Sequence, residues 1–371
     1  MEKQHQKVLS YFRFRRIIVP IILGLGVATF LLIRNFDKDA FTGINWVWQS
    51  YFFIFMALLM MVVRDVGYMY RLRVLTDGQI SWRRSFDVIM LWEFASAITP
   101  SIIGGSAIAL YIVNKEGVSM GRTTAIVLIT AFLDELFYII MVPLLIIIVG
   151  SQYLFTTEGE YVFLNTRFGT QGIFIIGYLF IVVLTTIIIY GVFLNPRGTK
   201  MILLTIFRLP FLRKWRQKAA ETGNEIIITS REMKGKPFSF WIKAFAGTFF
   251  SWTGRFMVVN FMIMAFVSGA DHFLIFARQL VMWVILLISP TPGGSGVAEF
   301  VFSGFLGEFI PAGLTPALGL MWRLISYYPY LFIGVIILPH WLRRVYGKKG
   351  KKKAIVDYAD KTDNEINQKP V

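Results

Sequence analysis

Leaving aside Asp87 and Lys243 at segment ends, eight charged residues stand inside long apolar stretches of the sequence: Glu93, Asp134, Glu135, Arg255, Arg278, Glu299, Glu308 and Arg323. A charged side chain at the centre of a membrane helix costs about 2.5–3.5 kcal/mol on insertion scales, so such groups face an interior and pair there. Carboxylates and arginines gathered in one dry place can hold an anion, an amine or a proton. Equally, they can tie helices together as ion pairs. Glu93, Asp134, Glu135, Glu299, Arg255 and Arg323 are the candidates for a polar interior. Arg278 and Glu308 lie nearer a segment end, where snorkelling explains the arginine and water contact the glutamate. Asp134 and Glu135 are adjacent, about 100° apart on a helix, so one of the two is expected to face a given site.

Two short motifs accompany these charges. Ile98–Ala107 reads ITPSIIGGSA and Ile288–Phe300 reads ISPTPGGSGVAEF. Proline and paired glycines tend to end a helix. Each motif therefore offers a first half-helix ending at Thr99-Pro100 or Ser289-Pro290, with free carbonyls suited to a cation or amine. A second half-helix is expected to begin at Gly104-Gly105-Ser106 or Gly293-Gly294-Ser295, with Ser106 and Ser295 as N-caps. Its free N–H groups suit an anion such as phosphate. Glu93 lies one to two turns before the first motif, and Arg278 stands in roughly the same relation to the second. Glu299 follows the second motif by about one turn. The plainer alternative is that the glycines only permit close helix packing.

The elements that must position these groups are membrane helices. Of 371 residues, 56% are hydrophobic, against about 45–50% in a soluble domain. The excess is gathered into runs: Ile17–Ile33, Ile44–Val63, Phe86–Val113, Thr123–Val149, Ile173–Leu194, Phe240–Val267, Phe273–Ile310 and Leu314–Leu338. About 20 apolar residues suffice to cross the hydrocarbon core. The basic N-terminus and its apolar run lack a small-x-small cleavage site, so they read as a retained first helix. There is no cysteine and the three histidines are scattered, which removes disulfides, thiolate metal sites and cysteine nucleophiles. No metal or other cofactor is expected. The net charge of +16 reads as basic cytoplasmic loops, not as a nucleic-acid surface.

Loop charge then sets the topology. Residues 1–16 carry five Lys/Arg, residues 64–84 five, residues 195–239 ten and the tail after Trp341 nine, whereas residues 34–43 carry two and residues 150–171 one. The basic loops are expected inside and the others outside. Both termini are then cytoplasmic, in the cell membrane. On this count the third and seventh segments begin and end on the same side. They are expected to be re-entrant hairpins, about 86–113 and 273–310, entering from opposite faces. Half-helices of about 12 residues rise about 18 Å, roughly to the middle of a core about 30 Å thick. The expected fold is therefore all-α: about six full spans plus two broken-helix hairpins in an inverted repeat, over residues 1–345, with a disordered basic tail at 346–371. Paired, interrupted segments in the two halves point to a transporter's binding site. Trp46, Trp48, Tyr51, Tyr327, Tyr328 and Tyr330 are expected as interfacial anchors. The basic amphipathic stretch within 200–234 is expected to lie on the inner leaflet.

Glu93–Gly105 (EFASAITPSIIGG) and Ser289–Glu299 (SPTPGGSGVAE), with the segment arrangement, resemble the transmembrane, flippase-type region of the lysylphosphatidylglycerol synthase family. The resemblance runs over about residues 10–345. It implies a region that moves aminoacylated phospholipid between leaflets, while a separate soluble domain makes the aminoacyl ester. As the sequence ends soon after its last apolar segment, the expectation is a stand-alone, translocase-like member and not an enzyme. Its partners would be membrane lipids, anionic or aminoacylated. Arg255 and Arg323 would hold a lipid phosphate while a carboxylate holds an amine or a proton. Two other readings stay open. One is a secondary transporter of a small polar solute, proton-coupled through Glu93 or Glu299. The other is a membrane-embedded lipid-modifying enzyme working with carboxylates alone.

Overall fold

Backbone polar groups inside a bilayer must be satisfied within their own segment, so apolar stretches fold as helices. A computed structural model describes residues 46–99, 101–155, 160–163, 166–210, 212–287, 297–311 and 314–346. The first apolar segment, Pro100, residues 288–296 of the second motif and residues 347–371 of the tail lie outside the described residues, as do the side chains of residues 101–104, 160–163, 166–168 and Glu299.

The helices run α1 Trp48–Leu75, α2 Trp82–Ile98, α3 Ser101–Lys115 and α4 Met120–Val149. A short antiparallel hairpin, β1 Glu160–Phe163 with β2 Thr166–Gly169, occupies the loop after α4. Then come α5 Thr170–Ile188, continued as a π-turn to Leu194, α6 Pro196–Ile206, α7 Arg216–Lys234 and α8 Phe238–Met264. The rest is α9 His272–Leu287, α10 Val297–Leu306, α11 Thr315–Ser326 and α12 328–346. The stretches Trp48–Leu75, Met120–Val149, Thr170–Leu194 and Thr315–Tyr346 are each long and apolar enough to cross a membrane. The protein is thus a helical, multi-span membrane fold with one small β-hairpin.

The closest-packed pair is α1 with α8. A Cβ on Gly67 would sit 2.7 Å from the Gly247 carbonyl oxygen, and one on Gly247 would sit 2.9 Å from that of Gly67. Only glycine lets two backbones approach so nearly, the usual device where helices pack without a hydrophobic driving force. Ser251 Oγ donates to the Arg64 carbonyl at 2.8 Å across the same contact.

Polar contacts gather at the two ends of the bundle and tell which loops share an end. At one end Asp77, just after α1, pairs with Arg122 of α4 and Lys236 before α8, both at 2.6 Å. Arg344 of α12 pairs there with Asp87 of α2 at 3.0 Å and Glu116 after α3 at 2.5 Å. At the other end, Ser50 of α1 donates to the Ala265 carbonyl after α8 at 2.6 Å. Arg278 of α9 donates there to the Tyr153 carbonyl after α4 at 2.8 Å. The start of α2 and the finish of α3 therefore lie together, and Gly105 of α3 is pressed against Ser96 of α2. The two form a helical hairpin. Likewise Arg278 donates to the Phe305 carbonyl of α10 at 3.1 Å and pairs with Glu308 at 2.8 Å, bringing the start of α9 to the finish of α10.

Four expectations are corrected. The second apolar segment does not stop at Val63. No helix breaker occurs until Asp77 and Gly78 turn the chain with positive φ of 52° and 75°, so α1 carries Arg64 and Arg71 into the core, where they are buried. That leaves Arg73, Arg83 and Arg84 to mark the following loop. The first half-helix of the first motif ends at Thr99, which is extended, as expected, but the second begins at Ser101 and not at the glycines. Gly104 and Gly105 lie inside α3: a pyrrolidine ring disfavours helix geometry in the residue before it, whereas glycine is tolerated within a helix. Ser106 is consequently more than a turn inside α3 and is no N-cap. Arg278 does not snorkel: it is 5% exposed and sits at the open end of its helix pair, where Asp87 sits in the first, so it is not the counterpart of Glu93.

Candidate functional site

The polar interior is built on α1 and α8, which run antiparallel. Arg64, Tyr68 and Arg71 recur on α1 at spacings of four and three, which puts them on one helix face. Thr248, Trp252 and Arg255 do the same on α8. Arg64 and Arg255 therefore lie at one level and Arg71 and Thr248 at another.

At the first level Arg64 holds Glu93 of α2, Nη2 to Oε2, at 2.6 Å. Its Nη1 donates to Asp65 at 2.8 Å and to Tyr330 Oη of α12 at 2.5 Å. Tyr330 in turn donates to Asp65 at 2.8 Å. The guanidinium lies over the Tyr68 and Tyr330 rings, 4.9 Å from each centroid. Arg255 approaches the same Glu93 oxygen less closely, at 3.8 Å. It lies over the Trp252 and Trp283 rings, at 5.0 and 4.7 Å, a favourable cation–π setting.

At the second level Arg71 grips Asp134 of α4 with both terminal nitrogens, at 2.6 and 3.2 Å, and donates to Thr248 Oγ1 at 2.9 Å. Trp252 Nε1 adds a third bond to Asp134 at 2.9 Å. Such forked pairing is the geometrically specific use of arginine. Glu135, the next residue, is buried, and its Oε2 has no hydrogen-bond partner.

Two cavities adjoin here. One, of about 290 Å³, is lined by Tyr68, Arg71, Glu93, Asp134, Glu135 and Arg255 among others. The second, of about 190 Å³, is lined by Glu93, Arg255, Trp283, Arg323, Tyr327 and Tyr330 among others. Glu93, Ser96 and Arg255 line both and so stand between them. Arg323 lies over the Tyr327 ring at 4.4 Å, and Tyr327 Oη donates to the Ala97 carbonyl at 2.9 Å near the turn of the first hairpin. Among the described residues the charged side chains lining the two cavities are Arg71, Arg255 and Arg323 with Glu93, Asp134 and Glu135. Cations, carboxylates and aromatic faces together suit a ligand with both charge and apolar surface.

Of the sequence candidates, Glu93, Ser106, Asp134, Glu135, Arg255 and Arg323 meet at these cavities. Asp134 and Glu135 both line the larger one, correcting the expectation of a single facing carboxylate. A cavity wider than one residue admits neighbours 100° apart. Thr99 instead turns its hydroxyl back to the Ala95 carbonyl at 2.6 Å, and Gly105 serves the hairpin contact. Pro100, Ser289, Pro290, Gly293, Gly294 and Ser295 lie outside the described residues. Gly104 and Glu299 are described only as positions in α3 and α10. Sequence reasoning missed Arg64, Asp65 and Arg71 by assigning them to a loop. The missed signal was the Arg64–Tyr68–Arg71 spacing, with no breaker before Thr76. Tyr330, taken for an interfacial anchor, is 3% exposed and bonded into the site, whereas Trp48 is 83% exposed as an anchor would be. Among the described residues no three His, Cys, Asp or Glu side chains are grouped to hold a metal.

A family model described as the lysylphosphatidylglycerol synthase TM region matches residues 17–334. A UPF0104 membrane protein of Archaeoglobus fulgidus is 24% identical over 333 residues, covering 86% of this chain and 95% of that protein. No solved structure matches.

Proposed function

Because the chain belongs to the lysylphosphatidylglycerol synthase transmembrane-region family, we propose that it is a lipid translocase, carrying the headgroup of an anionic or aminoacylated phospholipid between leaflets. The observation that carries this reading is the pair of cavities divided by Glu93 and Arg255. One pair of charged residues separates two chambers whose linings combine apolar surface with charged side chains. A headgroup passing from one chamber to the other would exchange its contacts with Arg323 and Arg255 for contacts with Arg71, Asp134 and Glu135. Charged groups kept at this depth, at the insertion cost they carry, are the usual mark of a substrate path.

On this reading α2–α3 and α9–α10 are re-entrant hairpins. At 17 and 15 residues α2 and α3 rise about 26 and 23 Å at 1.5 Å per residue, each short of a core about 30 Å thick. The open ends of the two hairpins lie at opposite ends of the bundle, with Arg344 closing one and Arg278 the other. The end that gathers Arg83, Arg84, Arg122, Lys236 and Arg344 is cytoplasmic by the positive-inside rule.

The test is a lipid-scrambling assay with the pure protein in liposomes. Fluorescent phosphatidylglycerol or its aminoacyl ester should cross the bilayer faster than in protein-free vesicles. Arg323→Glu should slow the movement about tenfold or more, as expected for loss of a charge-assisted contact, while inserting normally. If neither lipid is accelerated, or if Arg323→Glu moves lipid at the wild-type rate, the proposal is wrong.

A further inference from the structure

Three carboxylates on the larger cavity have different fates. Asp134 is held by two arginine nitrogens and an indole N–H. Glu93 is held by Arg64 at 2.6 Å. Glu135 has neither: among the described residues no cationic nitrogen lies within 4.0 Å of it, it is 6% exposed, and its buried Oε2 makes no hydrogen bond. The groups facing it are Asp134 and Tyr138 on its own helix, Tyr68 and Arg71 on α1, Glu93 on α2 and Arg255 on α8. Arg71 is committed to Asp134, and Arg255 lies over two indole rings beside Glu93. From α3 and α9 the cavity receives Ser106 and Leu287, neither of which titrates.

An unpaired carboxylate in such a place is costly as an anion, and two ligands can relieve it: a cation or a proton. A metal cation needs several oxygen donors, and no grouping of acid or imidazole side chains supplies them among the described residues. A proton needs one oxygen and a route to water, and Glu135 lines a cavity. We propose that Glu135 is a proton-binding site of the transport cavity, taking up and releasing one proton in each cycle. This rests on the translocase reading. The step is a simple acid–base exchange: a carboxylate oxygen accepts H⁺ from cavity water, leaving a neutral carboxylic acid, and returns it to water later in the cycle. Only an O–H bond forms and breaks. On this proposal the proton goes to Glu135 and not to Glu93, which Arg64 holds; the side chain of Glu299, the other coupling candidate, lies outside the described residues.

Two measurements on the full chain in liposomes test this. The first is pH-difference infrared spectroscopy with carbon-13 glutamate, which separates protein carboxyl bands from lipid esters. Beyond the bands of the other glutamates, one labelled C=O band should grow as pH falls and be missing from the Glu135→Gln difference spectrum. The second is the scrambling rate against pH. On one limb the wild type should change about tenfold per pH unit, as a one-proton step does, while Glu135→Gln should stay within about twofold over the same range. A band that persists in Glu135→Gln, or a variant that keeps the wild-type pH slope, overturns the inference. If the band titrates and depends on Glu135 but no lipid moves at any pH, the proton site stands and the translocase reading falls.

Discussion

Changing Asp134 to Asn removes the charge that Arg71 faces while keeping the side chain's shape. The two Arg71 nitrogens lie 2.6 and 3.2 Å from the Asp134 oxygens. At an effective dielectric constant of about 20, unit charges about 3 Å apart attract by about 5 kcal/mol. Desolvation of both ions offsets most of that gain. Removing one partner of a buried pair nevertheless costs about 3–5 kcal/mol, because the other charge is left buried and unpaired. The Asp134 side chain is 23% exposed, and screening at a partly exposed group lowers the expected loss to about 2–4 kcal/mol. Arg71→Met should cost a similar amount, since it leaves Asp134 with the Trp252 indole alone. The double variant Arg71→Met/Asp134→Asn leaves no buried charge. It should be more stable than the sum of the single losses by about 2 kcal/mol. Reversible unfolding in mixed micelles, followed by tryptophan fluorescence, gives all three numbers. Additivity within about 0.5 kcal/mol, or wild-type stability in Asp134→Asn, would refute the view that this pair joins α1 to α4. Scrambling by the double variant then separates two roles. A pair that only holds helices regains transport with stability, whereas a pair that touches the headgroup does not.

Two further outcomes follow from the fold. The chain has no cysteine, so single cysteines report topology directly: Arg83→Cys and Met120→Cys should be labelled from the same face of the membrane, and Asp271→Cys from the opposite one. Labelling of Arg83→Cys and Met120→Cys from different faces would show that α2 and α3 form a through-going span and not a returning hairpin. A Cβ on Gly105 would lie 2.9 Å from Ser96 Cβ, so Gly105→Ala should destabilise the protein by about 1–3 kcal/mol through overpacking. Ser96→Gly in the same chain should restore most of that loss in the unfolding assay; no rescue would mean that the hairpin does not close at this contact.

Much of the architecture was legible in the sequence because it depends on composition over long windows. Runs of apolar residues give helices wherever they occur, and the uneven loop charge pairs the loops by end. The geometry agrees with that pairing at Asp77, where the loop after α1, the start of α4 and the approach to α8 meet through Arg122 and Lys236. The end of the first half-helix at Thr99-Pro100 was legible, but the start of the second was not. Gly104-Gly105 also signals a helix end, and a window average cannot tell that α3 runs through it. Geometry chooses: proline constrains the residue before it, whereas glycine merely tolerates a break and is equally useful for contact inside a helix.

The site was half legible, and the missing half has one cause. Charges flanked by apolar residues on both sides were recognised as interior groups: Glu93, Asp134, Glu135, Arg255 and Arg323. Arg64, Asp65 and Arg71 lie where an apolar run gives way to polar residues, and there a basic residue looks the same whether it faces water or a carboxylate on another helix. The difference is made by partners distant in sequence: Asp134 for Arg71, Glu93 and Tyr330 for Arg64. Those partners also say which group can yield. Glu93 is anchored to Arg64 at 2.6 Å, whereas Arg255 stands 3.8 Å from the same oxygen and leans on two indoles. On the translocase reading, a headgroup phosphate arriving between the chambers competes for Arg255 against the weaker of its contacts, so Arg255 is the member that swings aside while Arg64 keeps Glu93 in place.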